Sequence, residues 1–440
     1  MRHRLAMLGA TIALAVPACS AADQPTDAPA VRSTPAGVEV AADLDLLLER
    51  LEAIHPEPFH GIERSEFVTA MHDLQSRLPE LSPDQTTVEV MRLVGLLSRA
   101  GRDGHQFALP QPGHEGPALP LRVYEFAEGV FVTAAQPPYD DLVGTRIVAI
   151  EDRPIEDVLA AIEPLVPRDG PATVPAFRPI FLLRAEVLRG LGLATDEPID
   201  VTVSDDSGER TVAPEPVPFE EYVTWAGGFG MLGLPDRADT RYLDDSADIL
   251  RFETIQGGVY VRYREVRLPA FDVLESVRQV IAGADVKRFV LDIRQNPGGD
   301  NHNNTAIVDL LTDFRTAHPG GAIVVITDRV TFSAAANLAT DLEAQFDPVY
   351  VGEPMGGGLN FWNDVTQIRL DGLPTPMQVG VSTRYWQRSV PDDPRLSIQP
   401  DVTLPVSAAD YFAGHDPLWM LRSRARPDRV PSARRRPCRR

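Results

Sequence analysis

Phe289-Val290-Leu291-Asp292-Ile293-Arg294-Gln295-Asn296-Pro297-Gly298-Gly299 is the stretch that decides how this 440-residue chain is read. It starts as a short apolar run of strand type and stops abruptly in a Pro-Gly-Gly turn. A second apolar run, Ala322-Ile323-Val324-Val325-Ile326, ends in Thr327-Asp328-Arg329-Val330-Thr331-Phe332. Ser333 then opens Ala334-Ala335-Ala336-Asn337-Leu338-Ala339, a run of small, helix-favouring residues. Two strand-then-turn units in succession suit an open α/β sheet, in which ligands sit beyond the carboxyl ends of the strands. A serine in the first turn of a helix meets the positive end of the helix dipole and several free backbone N–H groups. Ala334 adds an N–H with almost no side chain in front of it. Gly298 and Gly299 admit a second N–H, since glycine tolerates turns that other residues do not. Two such donors make an oxyanion hole. The plainer reading is a helix-capping serine beside an ordinary strand–helix turn, and the glycine pair is what shifts the balance towards function.

Three blocks carry a family resemblance. Asp292 to Gly299, then Thr331-Phe332-Ser333-Ala334-Ala335, then Val351-Gly352-Glu353-Pro354 with Gly356-Gly357, resemble the signature blocks of the carboxyl-terminal processing (tail-specific) proteases and the tricorn protease. The resemblance extends from about Leu44 to Leu404. It implies an α/β, crotonase-like (ClpP-like) catalytic core, a serine nucleophile and a substrate-binding PDZ-type domain.

The general base departs from the better-known branch of that family, which pairs the serine with a lysine further along the chain. Here residues 356–363 hold no lysine, and the whole chain has a single one, Lys287. Lys287 begins the strand that carries Asp292, and at ~3.3 Å per residue it lies far from the glycine turn at the other end. A histidine must take its place. His105, in Arg102-Asp103-Gly104-His105-Gln106, resembles the Asp-Gly-His block of the histidine-using branch. Imidazole suits the task because it gains and loses a proton near neutral pH. His302, just after the glycine pair, is the reserve candidate.

A third group would hold the imidazole in the right tautomer. Lysine-type members carry a glutamate three residues after the nucleophile, where this chain has Ala336. Ile398-Gln399-Pro400-Asp401 resembles the block near the tricorn glutamate, with Asp392 and Asp393 just upstream. Glu353 is another candidate, and the choice among these carboxylates stays open.

Around this centre the chain divides as follows. Residues 1–22 read as an export signal: Arg2 and Arg4 form a basic start, Leu5 to Val16 an apolar run, and small residues follow. That run is shorter than the roughly 20 residues a permanent membrane helix needs. Val16-Pro17-Ala18-Cys19 resembles a bacterial lipoprotein box that would place a lipid anchor on Cys19, although Pro17 leaves cleavage after Ala21 or Ala22 open. The expected location is the bacterial periplasm or cell envelope. Residues 23–37 read as a flexible tether and 38–112 as a helical region. Residues 116–215 read as a degenerate PDZ-like domain, in which Gly144-Thr145-Arg146-Ile147 leads to a helix from Ile155. Residues 216–246 read as a linker or active-site loop, 247–408 as the catalytic domain, and 409–440 as a tail, arginine-rich from 422.

Cys19 and Cys438 are the two cysteines, so no internal disulfide framework exists. No zinc spacing is present, and His55 and His60 read as loop residues rather than metal ligands. A net charge of −21 argues against nucleic acid as a partner. The chain thus reads as an exported serine endopeptidase with no metal or organic cofactor. Ser333 is its nucleophile, His105 its base, and Gly298 or Gly299 together with Ala334 its oxyanion donors. Its partners are polypeptides, entering as extended strands or by their carboxyl termini. Two alternatives stay open: an inactive binding protein on the same fold, for peptide or hydrophobic ligand, and a crotonase-type enzyme acting on acyl thioesters.

Overall fold

The computed structural model describes residues 36–195, 198–228, 232–244 and 248–418. The export signal, nearly all of the tether, Cys19, Cys438 and the arginine-rich tail lie outside the described residues. Among the described residues no helix is long and apolar enough to cross a membrane.

The chain begins with α1 (Ala36–Ile54), α2 (Arg64–Arg77) and α3 (Pro83–Gly95). Their helical spacing buries Leu44, Leu47 and Leu51 on α1 and Phe67, Met71 and Leu74 on α2. A reciprocal cap starts α3. Ser82 Oγ accepts the Gln85 N–H at 3.2 Å, Gln85 Oε1 accepts the Ser82 N–H at 2.9 Å, and Pro83 follows at the first position.

Next come β1 (Ala108–Pro110), β2 (Leu121–Phe126), β3 (Gly129–Ala135), β4 (Arg146–Ile150), β5 (Arg153–Pro154) and α4 (Ile155–Ile162). They are followed by α5 (Thr173–Leu182), α6 (Ala185–Gly190), β6 (Val201–Asp205), β7 (Gly208–Val212) and α7 (Phe219–Ala226). One sheet runs β2-β3-β4-β6-β7, with β5 folded back on β4. The sequence pattern misses α5 and α6: Pro179 inside α5 and the brevity of both hide their periodicity. The stretch read as a linker carries α7, two turns that bury Phe219 and Tyr222 and stop at Gly227, which takes a left-handed φ of 83°.

The nucleophile segment contributes β8 (Leu250–Ile255), β9 (Gly258–Tyr263), α8 (Phe271–Ile281), β10 (Arg288–Asp292), α9 (Asn304–Ala317), β11 (Ala322–Thr327), α10 (Ala334–Phe346) and β12 (Val349–Gly352). A long hairpin, β13 (Asn360–Leu370) and β14 (Met377–Gln387), precedes the two-residue β15 (Val402–Thr403) and α11 (Ala408–Phe412).

Two compact units result. The hairpin joins the first, with Gly129–Pro235 and most of the chain before it, because β14 pairs antiparallel with β1. Sequence reading places it in the catalytic domain instead, since hairpin pairing to a strand far upstream leaves no local trace. The second unit, largely Asp236–Met355, is a six-stranded sheet in the order β15-β12-β11-β10-β9-β8. All its neighbours run parallel except β8 on β9. Parallel strands buried on both faces account for the near-continuous apolar runs in β9, β10 and β11. Tyr260, Val290, Ile326 and Val351 line one face with Leu418 packed on them, while Phe289 on the other meets Phe314 of α9 edge-on at 5.7 Å.

Candidate active site

In the second unit the turn after β10 and the start of α10 come together. Ser333 sits immediately before α10 with a φ of 52° and a ψ of −125°. A positive φ is strained for a residue with a side chain and persists where its surroundings over-determine it. The surroundings here are specific. Phe332 donates its N–H to Asn296 O at 3.1 Å, and Thr331 Oγ1 donates to Ile293 O at 2.9 Å, so the two turns are stitched together. Asn304 Nδ2 donates to Ala334 O at 2.9 Å and fixes the start of α10.

Asp328 organises the same corner. Its carboxylate accepts the N–H groups of Gln295, Val330 and Thr331 at 3.0–3.1 Å. Burial pushes its pKa up to about 6, with Glu353 adding to the rise and the Gln295 donors opposing it. Sequence reading passed over Asp328 and Asn296. Their signal is a short polar side chain that bonds backbone just ahead of it, the usual Asx-turn pattern.

The glycine pair divides its work. Gly298 N–H donates to Asn296 Oδ1 at 3.0 Å and is therefore already committed. Gly299 lies beside Val266, which donates its N–H to Gly298 O at 2.8 Å and accepts the Asp300 N–H at 2.9 Å. The N–H of Gly299 stays outside that pairing. Gly298 serves by being small. A Cβ there would lie 2.7 Å from Ser333 Cβ and 2.9 Å from Ala334 N, at a φ of 107°. Gly298→Ala should therefore displace the serine, costing roughly 1–3 kcal/mol of stability and about 10²-fold in turnover. Gly320→Ala is the control, because a Cβ at Gly320 meets nothing within 4 Å. Equal rates for the two variants would show that the close packing at Gly298 has no bearing on Ser333.

Three further candidates belong to this unit. His302 is 92% exposed, with Nδ1 2.9 Å from Asp300 Oδ1 on a short turn. Glu353 is gripped by Arg329 through two bonds of 2.8 and 2.9 Å and accepts the Val406 N–H at 3.2 Å. Burial alone would raise the Glu353 pKa, but the guanidinium outweighs it and holds the carboxyl below its ordinary range. Lys287 immediately precedes β10, at the opposite end from the glycine turn.

His105 belongs to the first unit. It is buried and stacked on Phe361, with ring centroids 5.6 Å apart and planes 10° from parallel. Burial pushes its pKa down to about 3, so the ring is neutral at neutral pH. Its loop is held on every side. Arg102 has a φ of 73°, and its guanidinium reaches Asn360 O at 3.3 Å and Asp393 O at 2.6 Å. Asp103 accepts from Ser382 Oγ at 2.7 Å and from His55 Nε2 at 3.2 Å. Asp169 accepts the Gly104 N–H at 2.6 Å and the Gly358 N–H at 3.0 Å. Asp393 is bound by Arg395 at 2.7 Å and Ser389 Oγ at 2.5 Å, which together keep its pKa low, while Asp392 is exposed.

His55, His60 and Asp103 place ligand-type atoms within 4.8 Å of one another. The hydrogen bonds of His55 do not suit a metal. His55 Nδ1 accepts the Glu57 N–H at 3.0 Å, so the neutral ring keeps its proton on Nε2 and donates it to Asp103. A ligating histidine needs the reverse arrangement, with its far nitrogen as the donor.

The burial of His105 has a consequence for stability. Folded, the ring resists protonation until about pH 3, whereas in the unfolded chain it titrates at about 6.5. The unfolded state therefore binds more protons between those limits, and the contribution of His105 is full above about pH 6.5 and lost as the pH falls towards 3. The stability of wild type relative to His105→Ala should thus decline as the pH is lowered through this window. Thermal midpoints of both proteins from pH 7 to pH 4 check it, and parallel curves would contradict it.

No protein-family profile matches the chain, and no curated protein sequence does. Its fold does have counterparts among solved structures. Mature CPAF complexed with lactacystin aligns with 88% of this chain and 98% of its own at 13% identity and a TM-score of 0.59. Mature CPAF alone aligns over 88% and 96%, also at 13% identity, with a TM-score of 0.58. The photosystem II D1 C-terminal processing protease superposes more loosely, with a TM-score of 0.39 at 14% identity over 84% and 94%. These neighbours are members of the tail-specific protease family whose blocks the sequence resembles. At such identities the likeness is one of fold.

Proposed function

We propose that this chain is an exported serine endopeptidase that cleaves polypeptides through an acyl-enzyme on Ser333. The observation that carries the reading is the Ser333 corner: a strained serine at a helix start, packed on Gly298, with the Ala334 amide in the first turn of α10. In this reading Ser333 Oγ attacks the scissile carbonyl while His105, neutral at pH 7, takes its proton. The N–H groups of Gly299 and Ala334 hold the developing oxyanion, Gly298 being committed to Asn296. His105 then returns the proton to the leaving amine, and water, activated by the same ring, releases the acyl group. The sheet from β8 to β12 serves as a crotonase-like core. The β2-β3-β4-β6-β7 sheet serves as a PDZ-like domain that takes substrate as an added strand. Export follows from residues 1–22, with a lipid on Cys19 as the anchor.

The test compares wild type with His105→Ala on a denatured protein, following fragments by mass spectrometry, and treats both with a serine-reactive phosphonofluoridate. Wild type should cut and carry the label on Ser333, and folded His105→Ala should do neither. A folded wild type that neither cuts nor labels would favour the binding-protein alternative. Cleavage by His105→Ala would remove the histidine from the mechanism.

A further inference from the structure

Two Arg-Asp-Gly runs occur in the first unit, Arg102-Asp103-Gly104 before His105 and Arg168-Asp169-Gly170 in the loop between α4 and α5. The structure lays them against each other. Arg102 N–H donates to Asp169 O at 2.9 Å and Asp103 N–H to Arg168 O at 3.2 Å. On this backbone pairing the Asp169 carboxylate adds a clamp. One oxygen accepts the N–H of Gly104, the residue before His105, at 2.6 Å, and the other accepts the N–H of Gly358 in the glycine loop at 3.0 Å. Thr173 braces the clamp from behind. Its Oγ1 accepts the N–H groups of Asp169 and Gly170 at 3.1 Å and donates to Gly356 O at 2.6 Å.

We infer that Asp169 is the positioning residue of His105, locking the loop that carries the imidazole to the Gly356–Gly358 loop. The inference rests on the reading of His105 as the general base. The geometry favours a carboxylate at this point for a simple reason: the two backbone donors meet two different oxygens of the side chain, and a carboxylate offers an acceptor at both. Asn can satisfy one and turns its own NH2 against the other. Asp169 is wholly buried, so neither amide has water to fall back on. The loop also stores strain at Arg102, whose φ is 73°. The charges that act on Asp169 are Asp103, which raises its pKa, and Arg102, which lowers it.

The experiment measures Asp169→Asn beside His105→Ala and wild type on a fluorogenic peptide, with folding checked by circular dichroism. Asp169→Asn should lose about 10²-fold in kcat, the usual cost of a misplaced reacting group. KM should stay within about twofold, and the acid limb of the kcat–pH profile should move, a change that a mere fall in the amount of folded enzyme, the same at every pH, does not produce. If His105→Ala is inactive but folded Asp169→Asn keeps the wild-type kcat and pH profile, the role of Asp169 falls and the base assignment stands. If His105→Ala still cleaves, the base assignment fails and takes this inference with it. Should Asp169→Asn not fold, wild type labelled with [15N]glycine decides. The Gly104 and Gly358 amides should shift together on acidification with one midpoint, and independent behaviour would overturn the clamp.

Discussion

Ser333→Ala should lower peptide cleavage by roughly 10⁶-fold, the scale on which loss of a nucleophile removes covalent catalysis and leaves only binding and oxyanion stabilisation. It should do so without unfolding the protein. Ser333 makes no capping bond from its side chain to α10, so alanine removes none of the helix's hydrogen bonds. The φ of 52° is equally strained for serine and alanine, because the clash comes from Cβ, which both possess. A stability change of about 1 kcal/mol or less is therefore expected. Rates on a denatured protein and urea unfolding curves, taken on the same preparations, separate the two effects. Cleavage within tenfold of wild type would move the nucleophile elsewhere. A large loss of stability would show that the hydroxyl is structural, the plain reading of a helix-start serine.

Arg294→Ala should be the most destabilising single change outside the active-site corner, costing about 3–5 kcal/mol. Arg294 lies buried between two carboxylates. Its Nη2 is 2.6 Å from Asp292 Oδ2 and 2.9 Å from Asp416 Oδ2, and Nη1 is 3.1 Å from Asp416 Oδ1. The guanidinium also stacks 3.7 Å over the ring of Tyr242, and Tyr260 donates its hydroxyl to Asp292 at 2.8 Å. Burial works against the charge of Arg294, but the two carboxylates outweigh it and hold its pKa well above the ordinary value. Removing the arginine strands Asp292, which has no exposed surface, as a buried anion with too few donors. The double variant Asp292→Asn, Arg294→Met should recover part of the loss, since it removes the charge of one of the two carboxylates that the single variant leaves without a guanidinium, Asp416 remaining the other. Urea midpoints of the three proteins decide it, and a single-variant loss under about 1 kcal/mol would mean that the pair is not desolvated as the structure places it.

Much of the setting of Ser333 was legible in the chain itself. The apolar runs of β10 and β11, the Pro-Gly-Gly stop and the small residues after Ser333 are local facts, and hydrophobic period and turn chemistry translate them directly into strand, turn and helix. The exclusion of lysine was legible too, because one residue in 440 is a matter of counting. Composition likewise pointed to a histidine base. By contrast, the division of labour between Gly298 and Gly299 was not legible. Both are glycines in one turn, and what separates them is the Asn296 side chain folding back onto one amide.

Sequence alone determined the strand–turn–helix grammar around Ser333, the absence of a lysine partner and the short list of histidines that could replace it. Tertiary structure alone decided that the β13–β14 hairpin joins β1 through β14 and that Glu353 and Asp393 are already engaged by arginines. It alone brought Asp169 beneath Gly104, 65 residues away. The physical reason is range. Period, propensity and turn preference act between residues a few positions apart and leave their mark in composition, whereas a buried carboxylate meeting two distant amides is selected by where the folded backbone leaves donors without water.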